Sequence, residues 1–78
     1  MENKVITTFS KNARETVRVM LTTYQGRDLI DIRSCIEGPP PERGLIPTKK
    51  GITMSIDLIQ KLRDALDSAD EELKRLKK

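Results

Sequence analysis

The stretch from Thr16 to Arg33, TVRVMLTTYQGRDLIDIR, decides the fold, because two strand-like segments flank a short turn. Both segments are rich in β-branched and aliphatic side chains, and Gln25-Gly26 lies between them. A two-residue loop at Gln25-Gly26 pairs Tyr24 with Arg27 and fixes every pair further along the two strands. The stretch therefore predicts an antiparallel hairpin of defined register.

This register divides the hairpin into an apolar face and a charged face. Leu21 faces Ile30 and Val19 faces Ile32 on the apolar side. The opposite side carries Arg18, Met20, Thr22, Tyr24, Arg27, Leu29, Asp31 and Arg33. Arg18 lies directly across from Arg33, and like charges in that arrangement destabilise a sheet. Two groups would offset the repulsion: the carboxylate of Asp31, which is diagonal to Arg18, or a bound phosphate.

The rest of the chain predicts one small domain with an N-terminal extension. Residues 1–15 are predicted as an arm or a short edge strand, and residues 16–78 as the domain, with strands to about residue 54 and a helix over 56–76. Three consecutive prolines in 37–44 predict a stiff extended loop, although such runs also bind aromatic grooves of other domains. Gly51 predicts a bulge or a close backbone approach.

The predicted helix begins after Ser55, a good N-cap residue, and is amphipathic. Its apolar stripe, spaced three and four residues apart, consists of Ile59, Leu62, Leu66, Ala69, Leu73 and Leu76. The stripe predicts a helix that covers the apolar sheet face and meets a dimer mate near its end. The alternative is a short coiled-coil seam, for which the stripe offers fewer than three heptads.

Size and charge predict a homodimer with a basic sheet. A chain of 78 residues has a marginal core, and Cys35, its only cysteine, allows no internal disulfide. The formal net charge is +3, and residues 4–51 hold nine basic and five acidic side chains. No segment is typical of a membrane span or a signal peptide. We expect a cytoplasmic protein of a prokaryote or its phage, or a nuclear one if the source is eukaryotic.

The residues that most enzymes need are missing from the sequence. There is no histidine, and Cys35 has no second thiol with which to form a metal or redox site. The four glycines are scattered, so no phosphate-binding loop is present. The sequence therefore predicts no catalytic residue, no metal, no cofactor and no enzymatic activity.

The charged face has the composition of a single-stranded nucleic-acid site. Such sites combine a positive groove for the phosphates with aromatic rings on which bases stack. Arg18, Arg27 and Arg33 are the predicted phosphate contacts, and Tyr24 is the predicted stacking residue. Lys49 and Lys50, in the extended segment before Gly51, are predicted to lengthen the groove. Single-stranded DNA is the predicted partner, and RNA would fit the same groove.

These motifs resemble the positive cofactor four family of transcriptional coactivators and its bacterial and phage relatives. The resemblance rests on residues 24–27, 29–33 and 47–54 before a C-terminal helix, and it covers about residues 16–76. It implies an α+β fold: a curved four-stranded antiparallel sheet followed by one C-terminal helix, in a homodimer with two β-ribbon grooves. It also implies sequence-independent binding of single-stranded DNA or melted duplex, in transcription, replication or repair.

The resemblance also assigns roles to individual residues. Tyr24 falls at the family's stacking aromatic, Arg27 and Arg33 at phosphate-contacting positions, and Lys49-Lys50 at the basic pair before the last strand. Ile36 is a departure, because it lies near a position where members often carry a second stacking ring. The competing hypothesis is a protein-interaction module that docks a polymerase or another partner through its helix or proline loop, with a basic sheet face that is merely solvated.

Overall fold

The computed structural model describes residues 3–41 and 43–77. It contains strands β1 (Lys4–Ser10), β2 (Glu15–Tyr24), β3 (Arg27–Glu37) and β4 (Leu45–Ser55), then a 3-10 turn (Ile56–Leu58) and helix α1 (Ile59–Leu76). The strands form one antiparallel sheet in the order β1-β2-β3-β4. The predicted fold class, a four-stranded antiparallel sheet followed by one helix, is confirmed.

The register of the central hairpin is also as predicted. Tyr24 pairs with Arg27, and the pairing continues through Leu21 and Ile30. The φ angles of Gln25 and Gly26 are 51° and 76°. Two positive φ angles in a two-residue loop are typical of a type I′ turn, whose twist matches that of the paired strands. We call the two sides of the sheet the arginine face, after Arg18, Arg27 and Arg33, and the apolar face, after Val17, Val19, Leu21, Ile30 and Ile32.

Gly51 lies where β4 departs from regular pairing with β3. The register shifts between Arg33 and Cys35, and Gly51 is opposite Arg33. A Cβ atom on Gly51 would lie 2.5 Å from the carbonyl oxygen of Ile32 and 2.8 Å from the Cα of Arg33. The predicted close backbone approach is therefore present, and it leaves no room for a side chain.

The proline loop is compact, so the expectation of an extended segment was wrong. Gly38 N–H donates to the carbonyl of Gly44 at 2.8 Å, and Arg43 N–H donates to that of Pro39 at 3.3 Å. The Pro40–Pro41 peptide bond is cis. The loop closes on itself because β3 and β4 pair as far as Glu37 and Leu45, so the chain must reverse within a few residues.

Helix α1 does not cover the apolar face of its own sheet, contrary to the prediction. Ser55 caps the 3-10 turn as expected, accepting from Asp57 N–H at 3.3 Å, and that turn contacts β3. No residue of α1 is buried, and Leu66 is 60% exposed. The reason is the junction: β4 ends at Ser55 and the turn begins at the next residue, so no loop can fold the helix back. No helix among the described residues is both long and apolar enough to cross a membrane.

The buried part of the protomer is small and lies on β3. Ile30 and Cys35 are the buried apolar residues among those described, and Asp31 and Ser34 are buried polar ones. Ile52, on the apolar side of β4, is 53% exposed. Polar contacts between strands must therefore hold much of the sheet together.

One such set of contacts surrounds Glu15, the first residue of β2. Its carboxylate accepts hydrogen bonds from the Ser34 hydroxyl and, at 3.2 Å, from Asn12 Nδ2. The Nζ atoms of Lys11 and Lys50 each lie 3.7 Å from Glu15 Oε2. The hydrogen bond from Ser34, followed by that from Asn12, lowers the pKa of Glu15 to about 2. Glu15 thus links the β1–β2 turn to β3 and β4.

Gly51→Ala is expected to destabilise the protein by about 1–3 kcal/mol, because the added methyl group collides with the backbone of β3 rather than with a movable side chain. Urea unfolding followed by circular dichroism measures this loss. Gly44→Ala is the matched control, since a Cβ there meets nothing within 4 Å. Equal unfolding midpoints for the two variants would contradict the close approach.

Acid is expected to remove the contribution of Glu15 to stability. Its pKa in the folded protein is about 2, against an ordinary value of 4.5, so the folded state resists protonation. The contribution is complete above about pH 4.5 and is lost as the pH falls towards 2. Glu15→Gln should therefore lower stability at neutral pH and flatten its decline in acid, as urea midpoints at several pH values will show. Glu71→Gln, on the exposed side of α1, is the control, and its urea midpoints should change with pH as those of the wild type do. If the midpoints of Glu15→Gln declined in acid in parallel with those of the wild type, this account would be refuted.

Candidate nucleic-acid interface

The arginine face is built by side-chain alternation along three strands. Arg18 pairs with Arg33 across β2 and β3, and Met20 pairs with Asp31. On β4, Thr53 is opposite Asp31. Because residues two apart in a strand project on one side, these side chains share a surface.

Tyr24 and Arg27 project from the tip of the hairpin. Tyr24 is 65% exposed, and Arg27, also exposed, lines an open cleft between the tip and the start of the helical segment. The tight turn makes the two residues direct cross-strand partners, so their side chains leave the sheet on the same face. An exposed ring beside a cation is suited to stacking on a base while the cation contacts a phosphate.

Asp31 is the centre of the arginine face. It is 6% exposed, and Arg33 donates from Nε to both carboxylate oxygens at 3.2 Å and from Nη2 to Oδ1 at 2.9 Å. The Thr53 hydroxyl donates to Oδ1 at 2.7 Å, and Arg18 Nη2 lies 3.6 Å from Oδ2. Of the two groups predicted to offset the arginine repulsion, the structure therefore contains Asp31.

The pKa of Asp31 reflects opposing effects. Burial raises it, but the hydrogen bonds from Arg33 and Thr53 and the charges of Arg33 and Arg18 together lower the pKa below its usual range. Asp31 is consequently an ionised carboxylate at neutral pH. A buried carboxylate of this kind has to keep its partners, because an unpaired one would be costly.

Arg33 ties β3 to β4 through nearly all of its donors. Beyond Asp31, Nη1 donates to the carbonyl of Thr48 at 2.8 Å and Nη2 to the hydroxyl of Thr53 at 3.2 Å. These bonds use all but one of its N–H groups. The side chain is 21% exposed. Arg33 is therefore mainly occupied within the protein.

Arg18 is held much more loosely. Its side chain is 15% exposed, and its contact with Asp31 at 3.6 Å is an ion pair too long for a hydrogen bond. Its Nε is buried without a hydrogen-bond partner among the described residues. An unsatisfied buried donor costs about 1–3 kcal/mol. The two arginines of this pair are therefore unequal.

The two lysines lie on β4, next to the bulge, and both are exposed. The contact of Lys50 with Glu15 places its ammonium on the apolar side, where Lys50 borders a shallow groove with Val17 and Ile32. The structure thus brings Arg18 and Arg33 together around Asp31, and it places Tyr24 and Arg27 together at the hairpin tip. Lys50 differs from these four residues, because its ammonium lies on the apolar face. Ile36, 41% exposed, pairs with Glu15 and Ile46 and lies on the apolar side of β3.

Three partners of this site were not predicted from the sequence: Thr48, Thr53 and Glu15. The role of Thr53 could be predicted if the pairing of residues 47–54 with β3, including the register shift at Gly51, were known. In that register Thr53 lies opposite Asp31. Thr48 acts through its carbonyl oxygen, for which the sequence carries no signal. In residues 3–41 and 43–77, no cluster of three or more histidine, cysteine or carboxylate side chains could hold a metal ion.

The sequence profile of the family "Transcriptional Coactivator p15 (PC4)" matches residues 11–65, from the β1–β2 turn into helix α1. The chain belongs to the PC4 family. This family consists of DNA-binding transcriptional coactivators and not of enzymes. The resemblance stated from the hairpin and β4 motifs is thereby confirmed.

Solved structures of PC4 homologues share the fold. One from Burkholderia pseudomallei is 25% identical; in its orthorhombic form the TM-score is 0.78, over 91% of this chain and 93% of that one. Its tetragonal form gives a TM-score of 0.75, over 88% and 98%. The bacteriophage T5 homologue is 18% identical, with a TM-score of 0.55 over 100% of this chain and 99% of that one. No curated protein sequence matches significantly.

Proposed function

We propose that this PC4-family protein is a homodimer that binds single-stranded DNA with little sequence preference. The exposed Tyr24 ring beside Arg27 at the hairpin tip is the observation that carries the proposal. Stacking accepts any base, and guanidinium groups recognise phosphates, so neither contact reads sequence. The same contacts would hold RNA or the separated strands of a melted duplex.

The other candidate residues extend this contact along the sheet. Arg18 and Arg33 lie further down the same face, and Lys49 and Lys50 lie near the bulge of β4. Because β4 is an outer strand of the sheet, the long side chains of Lys49 and Lys50 can reach a phosphate that passes its edge.

The setting we propose is transcription, replication or repair in the cytoplasm of a bacterium or of a cell infected by its phage. The family's description as a transcriptional coactivator supports the first of these. The phage T5 homologue is implicated in recombination-dependent DNA replication, which supports the second. A contact with the transcription or replication machinery would follow from either role.

Homodimer formation is supported by the apolar surface that the protomer leaves open. The apolar face is only partly buried, with Ile52 53% exposed, and α1 exposes Leu66, Leu73 and Leu76 along its stripe. The helix cannot reach its own sheet, so a second copy is the nearest source of cover. Burial between protomers would supply the core that a chain of 78 residues lacks.

Fluorescence anisotropy with a labelled single strand of about twenty nucleotides tests the binding function. The protein should prefer this strand over a duplex of equal length, and its affinity should fall with salt at a log–log slope near −0.7 per phosphate contacted. Tyr24→Ala should weaken binding about tenfold, since stacking contributes about 1–3 kcal/mol per base.

Tyr24→Phe is the matched control, because it keeps the ring and loses only the hydroxyl. It should bind like the wild type. Binding without strand preference and without salt dependence would contradict the proposal, and would favour the competing hypothesis of a protein-interaction module.

Leu66→Lys tests the dimer. The mass in solution at micromolar concentration should be that of two chains for the wild type, and should fall towards one for the variant, because a charge in the apolar stripe opposes burial. Ser68→Lys adds the same charge on the opposite side of α1, about 200° around the helix, and should leave the dimer intact. A monomeric wild type would refute this part of the proposal.

A further inference from the structure

The unequal environments of Arg18 and Arg33 suggest what happens when a phosphate arrives. Arg33 donates to Asp31, Thr48 and Thr53, so moving it would break contacts between β3 and β4. Among the described residues, Arg18 has one ion pair, at 3.6 Å, and its buried Nε–H has no acceptor. A new anion would therefore engage Arg18 at much lower cost than Arg33.

Asp31 can release Arg18 without becoming an unpaired buried charge. When Arg18 leaves, the carboxylate keeps the hydrogen bonds from Arg33 at 2.9 and 3.2 Å and the one from the Thr53 hydroxyl at 2.7 Å. Arg18 gains in return: once its side chain has turned away from Asp31, the Nε that was buried is exposed, and a phosphate offers oxygens to Nε and Nη together in a forked geometry. Both groups are thus satisfied after the exchange.

We propose that Asp31 is an internal counter-ion of the nucleic-acid interface: a backbone phosphate displaces it from Arg18, whereas Arg33 stays bound to Asp31 as a fixed support. Asp31 then acts as a positioning residue that shields Arg18 when no strand is bound. The inference rests on the proposed function and refines it, since it separates a phosphate-binding arginine from a structural one. It also makes Asp31 a competitor of the ligand.

NMR of the wild-type protein tests the exchange directly. The arginine Nε–Hε signals are assigned with Arg18→Lys and Arg33→Lys variants, and then followed as an oligothymidylate of about twenty nucleotides is added. The Arg18 signal should move on saturation, while that of Arg33 should keep its position and its slow exchange with water. An unmoved Arg18 signal, or equal movement of the two, would overturn the inference.

Affinity measurements supply a second test with a matched control. Asp31→Asn should bind the oligonucleotide about twofold to tenfold more tightly than Asp28→Asn, the range expected for removing one ion pair. Both variants change the net charge equally, but Asp28 is exposed and its side chain accepts from the Thr23 hydroxyl. Equal affinities would mean that only long-range charge matters, and would refute the role of Asp31.

The Arg18→Met substitution completes the cycle. Arg18→Met should reduce the affinity for the oligonucleotide more in the Asp31→Asn background than in the wild type, because Asp31 no longer competes with the phosphate for Arg18. An equal loss of affinity in the two backgrounds would count against displacement.

If Asp31→Asn fails to fold, the NMR test on the wild type still decides. A flat anisotropy curve for the wild type would reject the proposed function itself, whereas normal binding with an unmoved Arg18 signal rejects only this inference.

Discussion

The buried carboxylate of Asp31 is the constraint on which the rest of the sheet depends. It lies on β3, the strand with the most buried residues, and is 6% exposed. An ionised group in that position has to be paired, and its partners come from both neighbouring strands: Arg18 on β2 and Thr53 on β4. Arg33 then links the same carboxylate to the backbone of Thr48 beyond the bulge. One carboxylate thereby meets side chains from three strands, and through its hydrogen bonds it joins β3 to β4.

Glu15 plays the corresponding part on the apolar side of the sheet. It receives hydrogen bonds from Ser34 and Asn12, and its carboxylate lies near Lys50. A protomer whose buried apolar residues are Ile30 and Cys35, among those described, has little core with which to align its strands. Two carboxylates on opposite sides provide that alignment instead. The consequence is that several cations of the candidate interface also serve the fold, so a loss of binding in their variants must be separated from a loss of structure.

The local pattern of the sequence predicted the central hairpin, and the reasons are physical. A two-residue loop at Gln25-Gly26 permits one register, and that register determines which residues share a face. The position of Asp31 between the arginines followed from it. The path of α1 was predicted wrongly, because an apolar stripe shows that a helix face will be covered but not which surface covers it. The partners on β4 escaped prediction because the shift at Gly51 changes the pairing there by an amount that the sequence does not state.

The surfaces that remain uncovered in the protomer are of two chemical kinds, and on the sheet they lie on opposite faces. The leucine stripe of α1 and the open apolar face require apolar cover, which only protein can supply. The exposed Tyr24 ring at the tip can stack on a base, and the Nε–H of Arg18, which has no acceptor among the described residues, can donate to a phosphate. Because the first set projects from α1 and the apolar face and the second from the hairpin tip and the arginine face, the proposed dimerisation and the proposed DNA binding would use separate side chains. Substitutions in one set should therefore leave the other intact, so the two activities can be dissected in the same chain.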